Sequence, residues 1–222
     1  KNETIDSLTK YLIGWHDKPD AKALKLLNAT KDYTYDEYKK DNKNKNILNS
    51  KHIKLSNYKY VYEGQLVNGM RHGYGRMEFR DGSIYEGKFE KDYFQGYGIY
   101  RFADGSIYDG FFKNGNMHGK GKLYYAKGSY YEGDFVDNMR EGMGVYKGYD
   151  GTSYEGDFKK DKFDGLGTYV YSDGSWYQGE FKDGNLHGIG TSHFSDGFIY
   201  KGEYVNGSRH GKGILTYPDG TE

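Results

Sequence analysis

The chain has no cysteine among its 222 residues, which excludes a disulfide framework and a thiolate zinc site and is compatible with a reducing compartment. We therefore expect a cytoplasmic, cytosol-facing protein. Excess charge is missing too: Lys plus Arg and Asp plus Glu stand at 32 each. The basic surplus of a nucleic-acid groove is thus absent, and no nucleic-acid partner is expected. No apolar run reaches the length of a bilayer-spanning helix, and no charged segment leads into an apolar leader, so nothing reads as a membrane span or secretion signal. A start at Lys1 instead of Met, and a last residue, Glu222, that closes a repeating unit, read as a segment cut from a longer chain.

What the chain has is repetition. Seven tandem copies of a 23-residue unit run from Tyr62 to Glu222, opening at Tyr62, Tyr85, Tyr108, Tyr131, Tyr154, Tyr177 and Tyr200. Strict repetition at this length means one supersecondary unit stacked along an axis, with the core between neighbours. Glycine recurs at four offsets in every copy, such as Gly64, Gly73, Gly75 and Gly82, which accounts for 28 of the 34 glycines. A fifth offset holds Gly69, Gly115, Gly184 and Gly207 but Asp92, Asn138 and Asp161 in the other copies. That residue set marks a tight hairpin turn with positive φ. Asp-Gly, as in Asp81-Gly82 and Asp173-Gly174, closes each unit with a second turn, Lys127-Gly128 being the exception. Two turns leave two short strands per copy. In the second copy Tyr85, Gly87 and Phe89 alternate with Glu86 and Lys88, the period of a β-strand. One face then carries aromatics beside glycines, and the glycines make room for the rings. The other face carries Glu63, Glu86, Asp109, Glu132 and Glu155 and reads as solvated. Fourteen strands at about 4.8 Å would give a twisted ribbon roughly 60 Å long.

Tyr62-Glu63-Gly64, His72-Gly73-Tyr74-Gly75 and Asp81-Gly82, with their counterparts in every later copy, resemble the MORN (membrane occupation and recognition nexus) repeat. The resemblance covers Tyr62 to Glu222. It implies a mainly β fold, an elongated single-layer twisted antiparallel sheet of stacked β-hairpins, used for attachment rather than chemistry. Members of that family serve as cytoskeletal scaffolds, ciliary spoke proteins and adaptors, or are fused to phosphoinositide kinases or a methyltransferase. Fold alone does not choose among these roles.

Before the repeats, Gly nearly vanishes and Lys, Asn, Asp and Leu dominate. Ile5, Leu8, Leu12 and Trp15 recur at helical spacing, and Ala21, Leu24 and Leu27 follow Pro19. We expect a short α-helical segment there, a further helical turn at 34–40 and a polar linker, together residues 1–46. Residues 47–61 are expected to form a capping strand or degenerate repeat. The copies would span 62–84, 85–107, 108–130, 131–153, 154–176, 177–199 and 200–222. Gly148 stands where Phe79, Phe102 and Tyr125 are aromatic, so a bend or bulge is expected in the fourth copy.

No catalytic constellation is visible and no cofactor is expected. His72, His118, His187 and His210 share one offset with Gln95, Glu141 and Asp164. Copies about 10 Å apart cannot share one zinc, so a polar turn contact is expected and no metal. Where the resemblance places a basic residue, Arg71, Arg140 and Arg209 comply, but Phe94, Met117, Phe163 and Leu186 do not. Strand parity puts these four on the aromatic face, where they widen an apolar groove for a partner helix or for the chain's own N-terminal segment. The expected function is a non-catalytic scaffold binding a helical protein segment through Tyr85, Phe89, Phe94, Tyr100, Phe112, Met117, Phe135, Phe163, Tyr169, Phe181 and Leu186. Its setting by family analogy is cytoskeletal or ciliary, and a homodimer through the aromatic face or open sheet edge is a further expectation. The alternative is an anionic-lipid module peripheral to a membrane, such as the targeting part of a lipid kinase. It would use Arg71, Lys91, Arg140, Lys159, Lys160, Lys162 and Arg209, although the neutral net charge opposes it.

Overall fold

The computed structural model describes the backbone of residues 31–34 and all of residues 54–222, with Ile53 as backbone. The expected helices before Thr34 and the polar linker lie outside the described residues. So does the turn expected at 34–40 apart from Thr34, which ends a strand. The chain divides into two units, the first of residues 1–80 and 86–92 and the second of residues 81–85 and 93–222.

In the first unit, β1 (Lys31–Thr34) pairs in parallel with β2 (Ile53–Ser56). Strand β2 pairs antiparallel with β3 (Tyr60–Val67), and β3 with β4 (Met70–Phe79). Most of β5 (Ile84–Glu90) also belongs here. The second unit continues with β6 (Tyr93–Arg101), β7 (Ile107–Lys113), β8 (Asn116–Tyr124), β9 (Tyr130–Val136), β10 (Met139–Lys147) and β11 (Ser153–Lys159). It ends with β12 (Lys162–Val170), β13 (Trp176–Lys182), β14 (Asn185–His193), β15 (Ile199–Val205) and β16 (Ser208–Thr216). From β6 onward each strand pairs antiparallel with the next. No helix occurs among the described residues.

The first turn of each copy is the two-residue hairpin read from the sequence. Asn114 and Gly115 have φ of 51° and 87°, and Lys160 and Asp161 have 47° and 68°. Positive φ at both central residues matches the twist of the flanking strands. At the second turn Phe102 N donates to Ser106 O at 2.9 Å and Gly105 N to Phe102 O at 3.0 Å. The expected distortion at Gly148 is not found. Gly148 N donates to Thr152 O at 2.8 Å and Gly151 N to Gly148 O at 3.2 Å, the same turn as elsewhere. Backbone hydrogen bonds close that loop whichever side chain precedes it.

The irregularity lies earlier in β10 itself and repeats. Gly133 pairs with Gly144 but its successor Asp134 pairs with Glu141, so β10 carries two extra residues there. Gly142 at that bulge has φ of 63°, a conformation that favours glycine. The same shift recurs opposite β3, β7, β11, β13 and β15. Of the four glycine offsets, then, two lie beneath rings, one makes a bulge and one a turn.

Candidate functional site

The core of each copy is its opening tyrosine. Tyr131 lies over Gly133 of its own strand and Gly144 of the next, and a Cβ on either glycine would overlap the ring. Tyr154 covers Gly156 and Gly167 in the same way. Past the glycines the hydroxyl reaches a backbone carbonyl three residues on. Tyr108 donates to Phe111 O at 2.9 Å, Tyr131 to Asp134 O at 3.0 Å and Tyr154 to Asp157 O at 2.8 Å. These bonds satisfy both a buried phenol and a carbonyl at the bulge, which is why phenylalanine does not serve here. Burial pushes the Tyr177 hydroxyl up to about 12 and raises those of Tyr108, Tyr131 and Tyr154 as well.

Edge-to-face contacts join the rings into a ladder. Tyr131 meets Phe135 of its own strand at 5.1 Å and Phe158 of the next copy at 4.8 Å. Tyr154 meets Phe158 and Phe181 at 5.1 Å each. In the first unit Tyr62 meets Phe89 at 5.1 Å. Each such pair contributes about 1 kcal/mol beyond area burial.

In five copies a lid closes over the tyrosine, and it comes from the offset where basic and apolar residues both occur. Phe163 stacks on Tyr154 with centroids 3.8 Å apart, and Phe94 on Tyr85 at the same distance. Met117 and Leu186 hold the equivalent register opposite Phe112 and Phe181. Arg140 instead places its guanidinium 5.6 Å from the Tyr131 centroid and 5.4 Å from that of Phe158. It also clasps the next hairpin turn: Asp161 Oδ1 accepts from Arg140 N at 2.9 Å and Nε at 3.0 Å, and Asp161 O accepts from Nη2 at 2.6 Å. Arg71 and Asp92 form the same clasp in the first unit, with Nε to Oδ1 at 2.8 Å.

Lid and turn are therefore one linked choice, 21 residues apart. Arg71 goes with Asp92, Arg140 with Asp161 and Met117 with Asn138, whose Oδ1 accepts from Met117 N at 2.8 Å. Phe94, Phe163 and Leu186 go with Gly115, Gly184 and Gly207. Both variations are visible in the sequence, each at its own offset. Their match from copy to copy was the signal that they touch.

Of the eleven groove residues expected, Tyr85, Phe89, Phe112, Phe135 and Phe181 are at most 5 % exposed. Each lies in the ring ladder of its own unit, beneath the lids and not at the outer surface. Phe94, Tyr100, Met117, Phe163, Tyr169 and Leu186 are half-buried on the same face. The aromatic offset before the second turn adds Phe102, Tyr171 and Phe194, which are outside the expected set although they continue its period-two alternation. Tyr171 packs 4.7 Å from Tyr169 and Phe102 4.7 Å from Tyr100. Near β14 the face opens into a cleft of about 620 Å³ lined by Tyr171, Leu186, Ser192, Phe194, Tyr204 and Arg209. Ser192 stands where other copies have Tyr100, Tyr146 or Tyr169, and its Oγ lies 2.6 Å from the Tyr204 hydroxyl.

Of the expected basic residues, Lys159, Lys160 and Lys162 come together in one cleft, among acids, and most of the others are engaged by near neighbours. Arg71 and Arg140 are held in their clasps, Arg209 covers Tyr200 at 5.2 Å, and Lys162 Nζ lies 3.0 Å from Asp183 Oδ1. Lys159, Lys160, Lys162 and Lys182 share a cleft of about 600 Å³ with Asp164, Glu180 and Asp183. Lys91 sits in a hairpin turn of the first unit at φ 49°. At the histidine offset, Gln95 accepts from Asn114 N at 2.9 Å and Glu141 from Lys160 N at 2.9 Å. In those copies the offset serves as an acceptor for the neighbouring turn.

A model of the MORN repeat matches residues 62–84, 85–107, 108–130, 131–153, 154–176, 177–198 and 200–222. No curated protein sequence matches the chain. Among solved structures, the chain is similar to the TCP domain of Drosophila melanogaster SAS-4, solved with a proline-rich motif of Ana2. Identity is 14 %, coverage 67 % of this chain and 81 % of that one, and the TM-score 0.43. The wild-type TCP10 domain of Danio rerio CPAP is similar at 13 % identity, 72 % and 85 % coverage and a TM-score of 0.26. Likeness at these levels does not extend to function.

Proposed function

The chain belongs to the MORN-repeat family, and from that premise we propose that it is a non-catalytic scaffold module whose ring face binds a helical segment of a protein partner. The observation that carries this reading is the row of half-buried apolar lids. Phe163 and Leu186 in neighbouring copies lead into the cleft at Ser192, where an anchor side chain has room. Phe94 and Met117 are a second pair of neighbours, and Arg140 separates the two. A helix laid across such lids gains by burying apolar side chains against rings already packed, with little reordering of the sheet. The proposed setting is cytoplasmic and cytoskeletal or ciliary, by family analogy.

The test is a quadruple variant, Phe94→Lys, Met117→Lys, Phe163→Lys and Leu186→Lys, compared with the wild type by affinity capture and far-UV circular dichroism. Partners lost while the sheet signal persists support the reading, and partners retained by the folded variant end it. The bases considered for anionic lipid are largely engaged in clasps or balanced by acids. Co-sedimentation with anionic vesicles is accordingly expected to be weak even at low salt.

A further inference from the structure

The face opposite the rings carries its own pattern in the second unit. Met143, Leu166 and Ile189, each the residue between the two glycines of a Gly-x-Gly, are 55 %, 65 % and 56 % exposed. Their cross-strand partners are Asp157, Glu180 and Glu203. From β10 to β15 a column thus alternates apolar and acidic, one residue per strand.

The acids are positioned by the bulges. Asp157 Oδ2 accepts from Leu166 N at 3.1 Å, Glu180 Oε1 from Ile189 N at 3.1 Å and Glu203 Oε1 from Lys212 N at 3.2 Å. Each lies over a bulge glycine, Gly165, Gly188 or Gly211, where a Cβ would strike the carboxylate. Among the described residues none of the three forms an ion pair, whereas Asp134 just before the column is neutralised by Lys120 at 2.9 Å. The exposed apolar residues therefore stand between carboxylates that are in no ion pair, Glu180 sharing its cleft with Lys159, Lys160, Lys162 and Lys182, and the surface complementary to the column itself is apolar and basic.

Like residues on the column are two strands apart, about 9.6 Å. Seven residues of α-helix rise about 10.5 Å, a mismatch near 1 Å per step that flexible side chains absorb over three contacts. We propose that this column docks an amphipathic helix of a protein partner that bears an apolar residue at every seventh position and Lys or Arg midway between. The apolar residues would sit on Met143, Leu166 and Ile189, and the cations would pair with Asp157, Glu180 and Glu203. This surface is separate from the ring face, so failure of either assignment leaves the other standing.

The probe is a fluorescein-labelled synthetic helix with leucine at every seventh position, arginine midway and alanine and glutamine elsewhere, followed by anisotropy against the full chain. Binding is expected, weakened about tenfold or more by Leu166→Lys combined with Ile189→Lys. The Phe163→Lys, Leu186→Lys variant should bind as the wild type does. Replacing the peptide arginines by glutamate should abolish binding. The proposal is overturned if the arginine peptide does not bind the wild type, if the back-face variant binds it equally, or if the glutamate peptide binds as well.

Discussion

Two neighbouring copies cover the same tyrosine in opposite ways. In the fourth, Arg140 lies over Tyr131 and is tied to the following turn by three hydrogen bonds to Asp161. In the fifth, Phe163 stacks on Tyr154 and the following turn is Asp183-Gly184. The bed is common to both: two glycines, a phenol bonded to a carbonyl, and an edge-to-face neighbour. Only the lid and the turn linked to it differ. An arginine lid is committed to an internal clasp, whereas a phenylalanine lid keeps apolar surface that a partner can bury. Variation at one offset thereby changes the chemistry the face exposes without changing the fold.

The hardest test of the common bed is Gly144→Val against Gly167→Val. Both valines overlap a ring that has no room to move, and each should lose about 3 kcal/mol, read from urea midpoints. A much smaller loss in one copy would show that the beds are not equivalent. Lid removal should be milder and should differ in kind. Phe163→Ala should lose about 2 kcal/mol at any salt concentration, because a half-buried ring contact is apolar. Arg140→Ala should lose about 1 kcal/mol, shrinking as salt rises, because the ion pair is partly exposed.

The linkage between lid and turn is sharpened by a double-mutant cycle. Arg140→Phe alone leaves Asp161 at φ 68° without its cation, and adding Asp161→Gly should restore about 1 kcal/mol more than independent effects allow. Additivity within error would break the linkage. The smallest effect concerns the second turns. Hydrogen bonds from the Ser175 hydroxyl and backbone hold the Asp173 carboxyl below the usual range, as those from Thr152 do for Asp150. A lowered folded value means the contribution is present above the ordinary carboxylate pKa and lost as pH falls through the lowered one. Ser175→Ala should move the Asp173 titration back up, followed by NMR. The third copy, with Lys127 in place of aspartate, should show no such transition.

Much of this was legible in the residues. Period-two alternation and the Gly/Asn/Asp offset located strands and hairpins, and the register of glycines with aromatics foretold rings over glycines. Parity correctly placed Phe94 and Phe163 on the ring face. It did not reveal that Phe163 closes over Tyr154, or that Phe135 and Phe181 lie beneath the surface, because parity assigns a face and not a depth. The bulge at Gly142 escaped for a related reason. Two extra residues preserve parity, so alternation looks unbroken while the pairing shifts.

Strand identity, turn type and face follow from the covalent geometry of L-residues acting over a few positions, and the sequence determined those by itself. Which tyrosine each lid covers, which acid a bulge presents beside Leu166 or Ile189, and which aromatics remain at the surface were decided only in the tertiary structure. Those relations join residues on different strands, and close packing across the pairing admits one arrangement that no single strand encodes.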